Sequence, residues 1–390
     1  MSTLPTLLLL LTMMAPPESL GGPGGGKASP ATALLEKGSA LFKKGDVAGA
    51  LQAFDGAAKA DPVDARPHYL RGVALEKKGD PAGAEAAYRA AVARKADFAE
   101  AHNNLGALAL ARGDAASAAR SFEAAVKSRP AYPEAYFNLG VARDALGGNS
   151  DKRGKIETTD KTDRTSKTGN VGHPDAVGAY REAVRLKPAE PSYRLNLGAA
   201  LRRQGDFDGA LAAFQDATRL APQDPLGWVN LGMIQSDQKA YDDAAVSLER
   251  ATKLNPEYAL AWNRLGRVEL RRGHLDRAVE VQQRARKLDP KNGAVAADLC
   301  RTLIEKRDAN QAIAACRAAV ALDAQNPLAR YELGKALVAK GDCAEGRKEM
   351  DRFRALPGVK PEARAQADAI AGACGNRASA PSTPTRPKTP

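Results

Sequence analysis

Residues 97–130 read DFAEAHNNLGALALARGDAASAARSFEAAVKSRP, and this 34-residue pattern decides the fold. Its landmarks are Gly106, the pair Gly113-Asp114, Ala118, Phe122 and Pro130. A Gly-Asp pair predicts a turn, because glycine accepts the left-handed conformation that ends one helix and aspartate caps the next. Proline cannot continue a helix, so Pro130 ends the second one. The stretch therefore predicts a helix-turn-helix unit.

The same landmarks recur along the chain with a period of 34 residues. The glycines are Gly38, Gly72, Gly106, Gly140, Gly198, Gly232, Gly266 and Gly334, with Cys300 at the remaining step. The alanines are Ala50, Ala84, Ala118, Ala176, Ala210, Ala244, Ala278 and Ala312, and the large apolar residues are Phe54, Tyr88, Phe122, Tyr180, Phe214 and Leu248. This period and these residues resemble the tetratricopeptide repeat over residues 31–360, about nine repeats.

The resemblance implies an all-α fold: a right-handed superhelical solenoid of about nine helix-turn-helix repeats, with a C-terminal capping helix over residues 361–374. Glycine and alanine let helix A and helix B of one repeat approach closely, and the Phe and Tyr positions are expected to fill the seam to the next repeat. No repeat can bury its apolar face alone, so the repeats stack and present a concave surface lined mainly by A helices.

Composition agrees with a folded chain that is not built around one large enzyme domain. The 390 residues carry a net charge of +12, with 44% hydrophobic but only 5% aromatic residues. His68 and His102 hold the repeat position of Trp228 and Trp262, which favours packing over catalysis. No catalytic constellation, phosphate loop or metal-ligand spacing is evident, so we expect no enzyme activity, no cofactor and no metal.

The two ends are predicted to lie outside the repeats. Residues 1–30 hold an apolar run, Leu4 to Ala15, of the size found in signal peptides, followed by a Gly-rich linker. No Lys or Arg precedes the run, so an export signal, an uncleaved anchor and a disordered N-terminus all stay open. Membrane association is expected only through this segment, if it is uncleaved. Residues 375–390 read as a disordered Ser/Thr/Pro-rich tail.

One repeat carries a 24-residue insertion, because Gly140 and Gly198 are 58 residues apart instead of 34. It spans residues 149–172, between helix A (Pro133 to Leu146) and helix B (His173 to Leu186). Its polar composition predicts disorder. A flexible loop and a partner-docking or phosphorylated segment are the two interpretations.

Asparagine recurs two residues before the ladder glycine in four successive repeats. These residues are Asn104, Asn138, Asn196 and Asn230. Asparagine is a poor interior helix residue, so a row of amides on the concave side predicts hydrogen bonds to the backbone of an extended polypeptide. The row is similar to the asparagine ladder of the O-linked N-acetylglucosamine transferases. Repeat-consensus residues that are satisfied locally are the alternative.

The next repeat replaces asparagine with Arg264, beside Asn263, and Arg267 and Arg271 follow on the same helix face. We expect this part of the groove to bind an acidic segment of a partner protein. Solvated surface charge is the alternative, because glutamates are interleaved. The carboxylate-clamp pattern of chaperone-binding members of the family is not reproduced. Nucleic acid is disfavoured as a partner, because the basic residues lack interleaved aromatic rings, and no small-molecule substrate is expected.

The four cysteines all lie in the last quarter of the chain. Cys300 and Cys316 fall at equal heights on a helix pair, and a capping helix would bring Cys374 beside Cys343. The predicted disulfides are Cys300 to Cys316 and Cys343 to Cys374, with buried or free thiols as the alternative. Disulfides and the apolar N-terminus favour a periplasmic or otherwise exported protein, with the cytoplasm as the alternative.

The sequence therefore favours a non-catalytic scaffold that holds an extended polypeptide and organises a multiprotein complex. A subunit that recruits substrate to a separate enzyme, or an assembly factor for an envelope complex, is the alternative.

Overall fold

The computed structural model describes residues 29–150 and 176–377, and within them the side chains of 29–147 and 176–372. These ranges hold nineteen α-helices and no β-strand, which confirms the predicted all-α class. The chain forms two compact units, an N-terminal unit (residues 1–204) and a C-terminal unit (residues 205–390).

The N-terminal unit contains nine helices. They are α1 (Pro30–Lys43), α2 (Val47–Ala60), α3 (Arg66–Lys78), α4 (Pro81–Arg94), α5 (Ala99–Ala111), α6 (Ala115–Ser128), α7 (Pro133–Ser150), α8 (Ala176–Leu186) and α9 (Pro191–Gln204). Each helix packs on the next one along the chain, and α1 with α2, α3 with α4, α5 with α6 and α7 with α8 form the most extensive contacts. The unit is thus built of consecutive helix pairs.

The C-terminal unit contains ten helices. They are α10 (Phe207–Leu220), α11 (Pro225–Asp237), α12 (Tyr241–Leu254), α13 (Ala259–Arg271), α14 (Leu275–Leu288), α15 (Gly293–Glu305), α16 (Ala309–Leu322), α17 (Pro327–Lys340), α18 (Cys343–Arg354) and α19 (Pro361–Arg377). The successive A helices α11, α13, α15 and α17 contact one another in order, and α19 packs on α17 and α18. The A helices therefore form one continuous face of this unit.

The predicted Gly-Asp turns join the helices of a pair. Gly79 has a φ of 83°, in the left-handed region that ends α3, and the Asp80 carboxylate accepts a hydrogen bond from the Gly83 backbone N–H at 2.8 Å. Equivalent caps are made by Asp46, Asp114 and Asp206. Lys239 and Arg307 take the same left-handed conformation where the repeat lacks glycine. Local turn chemistry thus sets the start of the B helices that follow a Gly-Asp turn with a capping aspartate.

The ladder glycines make room for the large residue of their own repeat. A Cβ atom on Gly72 would lie 2.5 Å from Cε1 of Tyr88, and one on Gly106 would lie 2.6 Å from Cε1 of Phe122. The rings also reach the seam to the next repeat, as expected, because Asn104 on α5 donates to the Tyr88 hydroxyl oxygen and Phe122 packs in one apolar cluster with Leu139 of α7. The missing Cβ of helix A creates a slot into which the ring from helix B fits, and both rings are fully buried.

A side-chain nitrogen on several A helices contacts the turn that precedes the helix, although the buried Nε2 of His68 has no such partner. Trp228 and Trp262 donate from Nε1 to the carbonyl oxygens of Pro222 and Pro256, at 3.0 and 2.9 Å. His102, at the same repeat position, has its Nε2 2.8 Å from the carbonyl oxygen of Ala96. The histidine at this position therefore has a structural contact, in line with the packing role expected from sequence.

Three helix ends differ from the predicted boundaries. Ser29 caps α1 by accepting from the Thr32 backbone N–H, so the first helix starts at Pro30. Helix α7 continues through Ser150, so residues 149 and 150 of the predicted insertion are helical. Helix α19 extends to Arg377 and takes in residues 375–377 of the predicted tail. The remaining insertion (151–172), the first three residues of the predicted helix B (173–175), the N-terminal segment (1–28) and the rest of the tail (378–390) lie outside the described residues.

Among the helices described here, none is both long enough and apolar enough to cross a lipid bilayer.

Candidate functional site

The A helices of the C-terminal unit present three rows of side chains, one residue per helix in each row. Positions four and seven residues apart share a helix face, so α13 exposes Leu260, Arg264 and Arg267 side by side. We define the leucine row as Leu226, Leu260, Ala294 and Leu328, the central row as Asn230, Arg264, Asp298 and Glu332, and the basic row as Arg267, Arg301 and Lys335. The rows run along α11, α13, α15 and α17.

A cavity of about 190 Å³ opens on this face between α13 and α15. Asn263, Arg264, Arg267 and Leu260 line it from α13, and Ala294, Val295 and Asp298 line it from α15, with Asp289 and Asn292 from the preceding turn. We call it the α13–α15 cavity. The structure therefore brings together three of the predicted site residues, which are Asn263, Arg264 and Arg267.

The floor of the cavity is fixed by a hydrogen bond between the two helices. Asn263 is 6% exposed, and its Nδ2 donates to Oδ2 of Asp298 at 2.9 Å. Its Oδ1 atom is buried and has no hydrogen-bond partner. A buried acceptor without a donor is unfavourable by about 1–3 kcal/mol, so the position of this amide is maintained at a local cost.

The N-terminal unit contains the same link between successive A helices. Asn138 donates from Nδ2 to Oδ1 of the buried Asn103 at 3.0 Å. Asn103 and Asn263 hold one repeat position, and Asn138 and Asp298 hold the next one along, so both links join residues 35 apart. Each unit thus uses a buried asparagine to hold two A helices in register.

The other predicted asparagines donate hydrogen bonds locally. Asn104 donates to the Tyr88 hydroxyl oxygen at 3.1 Å. Asn196 and Asn230 donate to the backbone carbonyls of Ser192 and Leu226, at 2.9 and 3.0 Å. Each of these amides therefore has at least one of its N–H groups engaged within the protein, and none of them lines the α13–α15 cavity.

The basic residues differ in how their charges are balanced. Within the described ranges, no carboxylate lies within ion-pair distance of Arg267, Arg271 or Arg301. Arg271 is exposed and lies beyond the cavity lining. Lys335 contacts Glu305 and Glu332 at 3.6 and 3.7 Å. The A-helix face thus has cations without an ion pair on α13 and α15, while Asp289 and Asp298 add negative charge to the cavity lining.

Glu332 ends the central row with a perturbed carboxyl group. The residue is 5% exposed, and burial raises the pKa of the Glu332 carboxyl, while the charges of Lys335 and Arg301 partly oppose that rise. The row thus changes from an amide at Asn230 to a buried acid at Glu332, with the cavity in between.

A disulfide anchors the helix that forms one wall of the cavity. Cys300 on α15 is bonded to Cys316 on α16, their Cα atoms are 4.9 Å apart, and both residues are fully buried. The sequence predicted this pair, because the two cysteines lie at equal heights on the two helices of one repeat. Cys343, the first residue of α18, is also disulfide-bonded. The side chain of Cys374, its predicted partner, lies outside the described residues.

Sequence reasoning did not single out Asn103, Asp298 or the turn residues Asp289 and Asn292. Asp298 holds the same repeat position as Arg264 and Asn230. The 34-residue period therefore could have identified it, although the residue type changes along the row. The described ranges contain no group of three or more His, Cys, Asp or Glu side chains placed to hold a metal ion.

Two family models match the chain. The model described as a tetratricopeptide repeat matches residues 35–100, 69–126 and 103–149. The model described as the C-terminal domain of cilia and flagella-associated protein 70, a repeat model of the same kind, matches residues 165–370, which is more than half of the chain. No curated protein sequence matches significantly.

Three solved structures with a similar fold are distant in sequence from this chain. YrrB, described as a tetratricopeptide repeat protein with an unusual peptide-binding site, is 20% identical with a TM-score of 0.45, over 54% of this chain and 96% of that one. The Cut9–Hcn1 hetero-tetramer of the APC/C is 20% identical with a TM-score of 0.49, over 80% and 57%. Yeast Tom70 is 14% identical with a TM-score of 0.45, over 89% and 96%.

Proposed function

This chain belongs to the tetratricopeptide repeat family, and from that premise we propose that it is a non-catalytic scaffold that holds an extended, acidic segment of a partner protein and organises a multiprotein complex. Proteins of this repeat class are in general scaffolds that bind partners on an extended concave surface. The segment lies across the A helices of the C-terminal unit, over the α13–α15 cavity.

The α13–α15 cavity carries this proposal. It opens on the A-helix face and is lined by both Leu260 and Arg267, so a segment that crosses α13 and α15 can place a side chain in it. The hydrogen bond from Asn263 to Asp298 joins the two helices and keeps the opening in place.

The charges of the basic row support an acidic ligand. Arg267 at the edge of the cavity and Arg301 on α15 have no carboxylate at ion-pair distance in the described ranges. An acidic side chain that approaches these guanidinium groups gains charge-assisted hydrogen bonds. Such rim charges raise the association rate and select against basic segments.

We also propose that the protein works in an oxidising compartment, periplasmic or otherwise exported. The buried Cys300–Cys316 disulfide supports this proposal, because disulfides of this structural kind persist outside reducing cytosol. A count of free thiols on protein taken from its native cell is the test. A count of four free thiols would contradict the proposal, whereas a count of zero would support it.

Crosslinking with mass spectrometry in the native cell tests the scaffold function. The full chain should crosslink to an acidic partner segment through α11, α13 and α15, and Arg267→Glu should remove those crosslinks. The control is Arg250→Glu, an equally charged change at an exposed arginine on α12. Crosslinks that persist in Arg267→Glu, or that map to the B helices, would contradict the proposed surface.

A further inference from the structure

The leucine row and the basic row lie on opposite edges of the A-helix face. On α13, Leu260 and Arg267 are seven residues apart, which is two helical turns or about 10 Å. The central row and the opening of the α13–α15 cavity lie between them. A segment that runs along the face therefore meets apolar side chains on one flank and cationic side chains on the other.

The leucine row belongs to the C-terminal unit alone. Leu226 and Leu260 are 41% and 39% exposed, whereas Leu328 is partly buried. The same repeat position in the N-terminal unit carries polar side chains, which are Arg66, Glu100, Glu134 and Ser192. The apolar flank is thus a local feature and is not required by the repeat.

The spacing of the helices selects the conformation of the segment. Packed helices lie about 8–10 Å apart, so one residue of each row recurs at about that interval. Three residues of a polyproline II segment advance about 9 Å, whereas two residues of a β-strand advance about 7 Å. A period of three residues per A helix therefore matches the rows.

We propose that the segment bound here is a polyproline II-like stretch with an acidic residue at every third position and apolar residues between them. Its acidic side chains pair with Arg267 and Arg301, and its apolar side chains cover Leu226, Leu260 and Ala294. This assignment rests on the proposed function and gives it a ligand class.

Fluorescence anisotropy with three labelled peptides on the full chain tests the assignment. The first peptide repeats Leu-Pro-Glu four times, the second has the same composition with its glutamates in one block, and the third has glutamine in place of leucine. The first should bind about tenfold more tightly than either of the others. Leu260→Asp should reduce that preference for leucine, whereas the matched change Val246→Asp on α12 should not. Circular dichroism melting checks that each variant folds.

The remaining outcomes separate the two levels of the proposal. Equal binding of the first two peptides, lost in Arg267→Glu, would overturn the three-residue period but leave the acidic-segment function standing. Equal binding of the first and third peptides would overturn the apolar flank. Binding of none of the peptides, or binding that Arg267→Glu leaves unchanged, would overturn both the period and the proposed surface.

Discussion

The disulfide between Cys300 and Cys316 takes the place that the ring of Phe122 holds over Gly106 in an earlier repeat. Each pair joins helix A to helix B of one repeat, and each is separated by 16 residues. The substitution is reciprocal, because Cys300 adds a side chain at the glycine position and Cys316 has a smaller side chain than the ring it replaces. A covalent bond thus replaces the packing of a ring in a glycine slot.

Removal of this bond should destabilise the C-terminal unit. In Cys300→Ala with Cys316→Ala, the free energy of unfolding should fall by about 3 kcal/mol, because the unfolded chain regains the freedom of a loop of that length. Urea denaturation under non-reducing conditions measures it. The control is Cys300→Gly with Cys316→Phe, which restores the packing of the other repeats and should be more stable than the alanine pair. Wild-type stability in the alanine pair would contradict the account.

Gly106→Ala should destabilise the N-terminal unit by about 1–3 kcal/mol, because the added Cβ meets the buried Phe122 ring and overpacks the core. The matched control is Gly372→Ala in α19, where a Cβ would have no neighbour within 4 Å. That change should stabilise by about 0.5–1 kcal/mol, because alanine favours a helix interior over glycine. Chemical denaturation compares the two variants. Equal effects on the free energy of unfolding would contradict the close contact between Gly106 and the Phe122 ring.

The repeat landmarks could be predicted because their chemistry is local. A period in the sequence locates Gly72 and Tyr88, and the conformational freedom of Gly79 beside the cap of Asp80 fixes the turn between their helices. The destination of the Tyr88 ring could not be predicted in the same way. The slot it fills exists only once helix A and helix B are packed, and the period gives no direction for a side chain.

The candidate site was predictable only in part for a similar reason. Arg264 and Arg267 share a helix face, so helical spacing placed them together. The bond from Asn263 to Asp298 joins two different positions of the repeat, and no single ladder of residues 34 apart contains both. The Asn263–Asp298 bond forms only where α13 and α15 lie side by side, so it follows from the packing of the helices.

We expect the buried side chain of Gln282 to destabilise the folded state. It holds the repeat position of Leu248, is fully buried against Gly266, and neither of its amide atoms has a hydrogen-bond partner. Gln282→Leu should raise the free energy of unfolding by about 1–3 kcal/mol, because it removes an unsatisfied polar group at similar volume. Its neighbour Gln283 is exposed, so Gln283→Leu is the control and should change stability little. A loss of stability in Gln282→Leu would contradict its burial as described.

Glu332 should make the protein less stable as the pH rises. Its pKa is raised by burial, so the folded state binds a proton more tightly than the unfolded chain does. Stability from this group is present while it is protonated and is lost as the pH rises through the folded-state pKa. Urea denaturation across the acidic to neutral range should show a smaller decline in Glu332→Gln than in the wild type. An equal decline in both would contradict the assignment.

A charge swap across the basic row tests the central claim most directly. The quantity is the ratio of dissociation constants for the Leu-Pro-Glu peptide and its lysine counterpart, measured by anisotropy on the wild type and on Arg267→Glu with Arg301→Glu. The wild type should prefer the glutamate peptide, and the variant should prefer the lysine peptide, because Coulomb attraction reverses sign at an unchanged surface. A variant that keeps the wild-type preference would show that acidic segments do not bind between α13 and α15.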